Sequence, residues 1–204
     1  MKIGIVGAGD CSVLDRSLEY IAVDNGLCCL LSQHIEPKFI VGDFDSLEDR
    51  SLIDKYQAIA LPQVKNDTDL HVALQEAIAR GYSTIYLYGV TGGRLDHFLS
   101  VLNLLYRYSN YNIIIKDDQN LIYYGNDCFN TLENTGYKYF SLFSFEDNLV
   151  TVNNAKYPLV DYLLTIGDTL CVSNEPLDGV VEIVSSKGLY IILSNDKKGL
   201  LASC

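Results

Sequence analysis

One change of periodicity constrains this chain more than any other feature. Up to about residue 125, short apolar runs alternate with stretches whose apolar residues recur every three or four positions; beyond 126 the helical period is gone. Residues 3–6, 20–23, 39–41, 58–60, 84–88 and 113–116 read as strands, and 14–20 as a helix. Leu70, Ala73, Leu74, Ala77 and Ile78 put one apolar face on a helix over 69–80, which Gly81 stops. Leu95, Phe98, Leu99, Leu102, Leu105 and Tyr106 mark a further amphipathic helix beginning near Asp96. Strands alternating with helices predict a parallel, doubly wound sheet. After 126 the strand-like runs 138–145, 149–152, 157–163, 169–172, 180–185 and 189–193 are separated by Asn, Gly, Asp and Pro, which is all-β patterning. The expected architecture is an α/β plus all-β chain: a doubly wound, mostly parallel α/β domain at 1–125, then a small C-terminal β-sandwich at 126–204. Gly125-Asn126-Asp127 supplies the turn signal between them.

In an open α/β sheet, ligands bind outside the carboxyl ends of the strands. Gly42-Asp43-Phe44-Asp45-Ser46 follows the apolar run Phe39-Ile40-Val41 at such a place. Two carboxylates held about 4 Å apart repel by about 4 kcal/mol at an effective dielectric of about 20, so a fold that keeps both ionised wants a cation between them. Mg²⁺ suits the position, because it takes one or two carboxylates, several waters and substrate phosphates. Two further clusters, Asn66-Asp67-Thr68-Asp69 and Gly92-Gly93-Arg94-Leu95-Asp96-His97, also fall at strand-to-helix junctions. Each has a plainer reading on its own. Asp67 and Thr68 read equally as helix caps, Gly92-Gly93 as a loop, Ser46 as the cap of the next turn and Asp96 as the cap of its helix. Asp43, Asp45 and Asp69 are the expected metal ligands if the loops converge. Arg94, after two glycines at a helix start, is placed to clamp a phosphate. Asp24 ends the second strand, within reach of a nucleotide or a metal-bound water. Gly7-Ala8-Gly9-Asp10 is a partial phosphate-loop signal without the third glycine of G-x-G-x-x-G, and G-x-x-x-x-G-K-[ST] is absent. His34, His71 and His97 show no catalytic partner in the sequence and read as structural.

These stretches together resemble the bacterial-type thiamine pyrophosphokinases: Asp24-Asn25-Gly26, GDFDS at 42–46, NDTD at 66–69, GGRLDH at 92–97 and Ser173-Asn174-Glu175, in the family's order. The family commonly has Asp-Gly-Gly where this chain has Asp24-Asn25-Gly26, and often Asp where it has Asn66. The resemblance implies that the thiamine hydroxyl attacks the β-phosphorus of ATP, a pyrophosphoryl group moves and AMP leaves. It implies catalytic roles among Asp43, Asp45, Asp69 and Asp96. Asp24, Gly42, Ser46, Asp67, Thr68, Gly92, Gly93 and Arg94 match the motifs that bind the substrates and their metal. It further implies a homodimer with thiamine at the interface, to which Ser173 and Asn174 contribute; read without it, Ser173-Asn174-Glu175 is a turn before Pro176. The alternatives are another Mg²⁺-dependent nucleotide phosphotransferase or hydrolase, or a non-catalytic thiamine- or nucleotide-binding regulator.

A net charge of −11 argues against nucleic-acid and anionic-membrane partners. No apolar stretch approaches the roughly 20 residues of a bilayer span. The six cysteines, at 11, 28, 29, 128, 171 and 204, fit no zinc spacing and form no C-x-x-C. With no signal peptide visible, the expectation is reduced, mostly buried thiols in a cytoplasmic protein.

Overall fold

The computed structural model describes residues 1–44, 51–60, 67–126 and 128–196. The chain divides into two compact units, Met1–Asp118 and Gln119–Cys204.

In the first unit the elements run β1 (Lys2–Val6), β2 (Tyr20–Val23), α1 (Gly26–Ser32), β3 (Phe39–Gly42), α2 (Ser51–Lys55), β4 (Ala58–Ala60), α3 (Asp69–Ala79), β5 (Thr84–Tyr88), α4 (Leu95–Arg107) and β6 (Asn112–Lys116). The strands pair in the order β4-β3-β2-β1-β5-β6, and every pairing is parallel. β2 and β3 are buried at every position, so both faces of the sheet are covered, as parallel sheets require. On one face Leu27 and Leu30 of α1 join Val6, Tyr20, Ala22, Ile40 and Tyr88 in a single cluster. The alternate residues Ile5, Ile21 and Val41 are equally buried, and α3 packs across β1, β2 and β3. β1 is where the strand order reverses: β2, β3 and β4 lie on one side of it and β5 and β6 on the other.

The second unit begins one strand earlier than the sequence suggests. β7 (Asn120–Gly125) pairs antiparallel with β13 (Leu189–Ser194), which also pairs with β9 (Tyr139–Phe143). A second antiparallel sheet runs β11 (Leu159–Leu164), β10 (Asn148–Asn153), β12 (Val181–Ser185), β8 (Phe129–Leu132). Strands of both sheets fill one core, with Phe140, Leu142 and Ile191 from one and Val150, Val152 and Ile183 from the other.

Several expectations need correction. Residues 14–19 form an irregular turn segment rather than a helix, and Tyr20 opens β2: the Asp15 carboxylate accepts from Ser17 N at 2.9 Å and from Ser17 Oγ at 2.7 Å, a local alternative to helical bonding. Residues 169–172 are likewise turns, with Leu170 N donating to Asp168 Oδ1 at 3.0 Å. α1 was not anticipated. α4 buries Val101, Leu104 and Leu105, while Leu95, Leu99 and Tyr106 of its predicted apolar face are exposed. The cysteines are not all reduced: Cys11, after β1, is joined to Cys29 in α1. Cys28 and Cys128 are exposed thiols and Cys171 a buried one. Among the described residues no helix is long and apolar enough to cross a membrane.

Candidate active site

A cleft of about 380 Å³ opens over the carboxyl ends of β1 and β5, the neighbours at which the strand order reverses. This is the switch point where an open α/β sheet leaves a crevice.

Its floor is main chain. Gly7 N donates to Tyr88 O at 2.9 Å and Gly9 N to Gly89 O at 2.8 Å, so the connections after β1 and β5 touch backbone to backbone. Gly89 has φ 62°, and a Cβ on it would stand 2.7 Å from Gly7 O. The Gly7-Ala8-Gly9 signal is therefore used to bring two strands' ends together. The N–H groups of Gly7 and Gly9 are occupied by carbonyls rather than turned to an anion.

The walls come from three elements. Val23 and Asp24 stand at the end of β2; Thr68, Asp69 and Leu70 open α3; Thr91, Gly93, Arg94, His97, Ser100 and Val101 come from the turn after β5 and from α4. Asp24 adopts φ 48°, with its N–H donating to Val41 O at 3.0 Å. Its Oδ1 lies against Gly42, where any Cβ would collide with it; this explains the glycine that precedes the acidic loop. Thr68 is the N-cap of α3 and accepts from His71 N at 3.2 Å, so the capping reading of Thr68 holds. Asp69 follows in the first turn, where a carboxylate suits the helix dipole.

Arg94 is the N-cap residue of α4, and its guanidinium holds the Asp96 carboxylate through Nε to Oδ1 at 3.1 Å and Nη2 to Oδ2 at 2.6 Å. That pairing, aided by a bond from His97 N, draws the Asp96 carboxyl down to about 2. Asp96 does not cap its helix in the usual sense and does not line the cleft.

The cleft thus unites Asp24, Thr68, Asp69, Gly93 and Arg94. Asp43, half-buried, follows β3, two strands from β1. Asp67 belongs to a smaller cavity beside the cleft, with His71, Asn103 and Arg107. Gly92 adopts φ 75° in the turn before α4. Asp45 and Ser46 lie outside the described residues, as does Asn66. Ser173 and Asn174 belong to the second unit. Asn174 is buried, bonding Tyr157 through both of its amide atoms, and Ser173 N donates to Ser141 Oγ at 2.9 Å. His97, read from the sequence as structural, is exposed and lines the cleft one residue beyond Asp96.

No group of three or more His, Cys, Asp or Glu side chains able to hold a metal occurs among the described residues. Asp24 and Asp69 nevertheless line one cleft, and Mg²⁺ needs only one or two carboxylates when substrate phosphates complete its shell, so the oxygen donors fit that ion.

The model of the thiamin pyrophosphokinase catalytic domain matches residues 12–116, and that of the thiamin pyrophosphokinase vitamin B1 binding domain matches residues 129–190. The chain belongs to the thiamine pyrophosphokinase family. The thiamine pyrophosphokinase of Bacillus subtilis is 37% identical over 188 residues, 88% of each chain. The solved thiamin pyrophosphokinase of Geobacillus thermodenitrificans superposes with a TM-score of 0.86 at 30% identity, covering 98% of this chain and all of that one. The thiamin pyrophosphokinase family protein of Enterococcus faecalis gives 0.87 at 27% identity, covering 97% and 100%. Members of the thiamine pyrophosphokinase family are ATP-dependent diphosphotransferases.

Proposed function

We propose that pyrophosphoryl transfer from ATP to the thiamine hydroxyl takes place in the cleft over β1 and β5, with Mg²⁺ held by aspartates at its rim. The observation that carries this reading is the gathering of Asp24, Asp69 and Arg94 around one crevice at the switch point of a thiamine pyrophosphokinase fold. Arg94 carries a planar two-point donor, which Asp96 occupies and which phosphate oxygens would take over. The glycine floor has no side chain to keep a polyphosphate away. Val23, Leu70, Val90 and Val101 add apolar walls to the cleft. The hydroxyl oxygen bonds to the β-phosphorus, the bond from that phosphorus to the α,β-bridging oxygen breaks, and AMP departs with the bonding pair. An aspartate of the cleft accepts the hydroxyl proton. Asp43, Asp45 and Asp69 are the residues that would hold Mg²⁺, with Asp24 a further carboxylate of the cleft. The ion would neutralise charge on the transferring group.

The proposed assembly is a homodimer in which the β unit of each chain, through the Ser173-Asn174 turn, helps to close the thiamine pocket of its partner. Tyr157, Val160, Leu163, Ile166, Leu170 and Leu177 are exposed on that unit, and apolar surface of this kind favours a partner. The use of ATP fits a cytoplasmic setting.

Product analysis tests the reaction: ATP and thiamine with Mg²⁺ give AMP and thiamine diphosphate. Formation of ADP instead identifies a different phosphotransferase. Mixing an Asp45→Asn chain with a Ser173→Ala chain tests the shared pocket. Exchange of subunits then restores activity, and a monomer mass at all concentrations refutes the dimer.

A further inference from the structure

His71 is 4% exposed, and both of its ring nitrogens are engaged. Nδ1 lies 2.8 Å from Asp67 Oδ1, and Nε2 lies 2.8 Å from the Tyr108 hydroxyl. A carboxylate only accepts, so Nδ1–H donates to Asp67; with one ring proton, Nε2 is then left to accept from the Tyr108 hydroxyl. The two rings meet edge to face with centroids 5.6 Å apart, which fixes the imidazole by packing as well. His71 N–H meanwhile caps onto Thr68 Oγ1. One residue therefore ties three points together: the chain just before α3, the N-cap of α3, and Tyr108, which closes α4.

The residues held in this way flank Asp69. Thr68 and Asp69 line the cleft from the start of α3, and Ser100 and Val101 line it from α4. A capped helix start alone fixes Thr68; it does not fix the turn before it, whose Asp67 side chain is 45% exposed and bound to the imidazole. A structural histidine needs only to satisfy its own polarity. This one spends its Nδ1–H on a half-exposed carboxylate, a group that water would solvate, and the result is a fixed 67–69 turn.

We propose that His71 is a positioning residue: through Asp67 it sets the turn that presents Asp69 to the cleft, with Tyr108 fixing its tautomer. The proposal rests on the cleft being the reaction site.

The test is steady-state kinetics with thermal midpoints for the whole protein carrying His71→Ala or His71→Asn. The Asn amide nitrogen occupies the position of Nδ1, so it keeps the Asp67 contact and loses Tyr108. His71→Ala should lose at least about tenfold in kcat, with KM for ATP and thiamine within about threefold. His71→Asn should stay within about threefold of the unmodified enzyme in kcat, although both variants lose thermal stability. A role in stability alone would make activity follow the melting point in both. A kcat for His71→Asn as low as that of His71→Ala, or a near-normal kcat for His71→Ala, overturns the proposal. If His71→Ala does not fold, Asp67→Ala replaces it: the same loss of kcat is expected, and a normal kcat overturns the proposal. Asp69→Asn tests the cleft separately. If it remains active, the cleft reading fails. If it is inactive while His71→Ala turns over normally, only the positioning role fails.

Discussion

Arg94 and Asp96, two residues apart at the start of α4, are locked in a two-point ion pair on the lip of the cleft. The pair is solvent-exposed, so its worth to the fold is small. Its interest lies in the geometry: the planar fork is spent on a carboxylate, and a phosphate would have to take the place of Asp96.

Arg94→Lys should therefore cost activity although the charge is kept. A point donor replaces a planar one, and kcat/KM for ATP should fall about tenfold, equivalent to one charge-assisted hydrogen bond of about 1.4 kcal/mol. Unchanged kinetics would make Arg94 a surface cation.

The same pair makes a titration prediction. Asp96 is held at about 2 against an ordinary 3.8 chiefly by Arg94. The folded value is depressed, so the pair's contribution is complete above about pH 4 and is lost as the pH falls through about 2. Carbon-detected NMR should place the Asp96 midpoint near 2, and Arg94→Gln should return it toward the ordinary range. An Asp96 midpoint near 4 in the unmodified protein would mean that the pair does not persist in solution.

Gly42→Ala should damage both stability and turnover, because its Cβ displaces the Asp24 carboxylate. Overpacking of this kind costs about 1–3 kcal/mol. Adding Asp24→Ala removes the obstructing oxygen, so the double variant should regain melting temperature but not activity. Equal melting temperatures for Gly42→Ala and the unmodified protein would show that the backbone relaxes around the new methyl group.

Asp45→Asn should nearly abolish turnover while leaving the thermal midpoint without Mg²⁺ equal or higher, since one of two neighbouring carboxylates loses its charge. Chelation of divalent ions should stop the unmodified enzyme, with recovery on adding Mg²⁺. A strongly destabilised but active Asp45→Asn protein would point instead to a turn-capping role.

Cys11 and Cys29 are separated by 18 positions, and closing a loop of about that size stabilises by about 3 kcal/mol in the chain-entropy view. For a chain of this length that corresponds to about 6–12 °C. Dithiothreitol should lower the midpoint by that order, and Cys11→Ser with Cys29→Ser should melt low with or without reductant. No response to reductant would show that the bond contributes nothing to the folded state.

Asp24, Asp69, Gly93 and Arg94, read from the sequence at the ends of strands and the starts of helices, line one cleft, and the parallel sheet was legible because its strands are apolar on both faces. Two of the failures share a cause. Asp15 and Asp168 each bond the N–H two residues ahead, closing turns inside stretches that otherwise read as helix and strand. Periodicity sees apolar spacing and is blind to a carboxylate that competes with the backbone. The orientation of α4 was illegible for a different reason. Leu95, Leu99 and Tyr106 mark one side of it and Val101, Leu104 and Leu105 another, so spacing alone does not say which the unit buries. His71 was the least legible of all: its meaning depends on Tyr108, 37 residues away and beyond any motif.

The seam between β1 and β5 is closed by Gly7, Gly9 and Gly89 with no side chain at the contact. The bottom of the cleft therefore stores no substrate preference. Whatever chooses between one alcohol acceptor and another must be written elsewhere, on flanks such as Val23, Leu70, Val90 and Val101 and in the β unit proposed to close the thiamine pocket. A redesign of acceptor specificity can re-line those flanks while the load of joining the two halves of the sheet stays on main chain that no side-chain exchange touches.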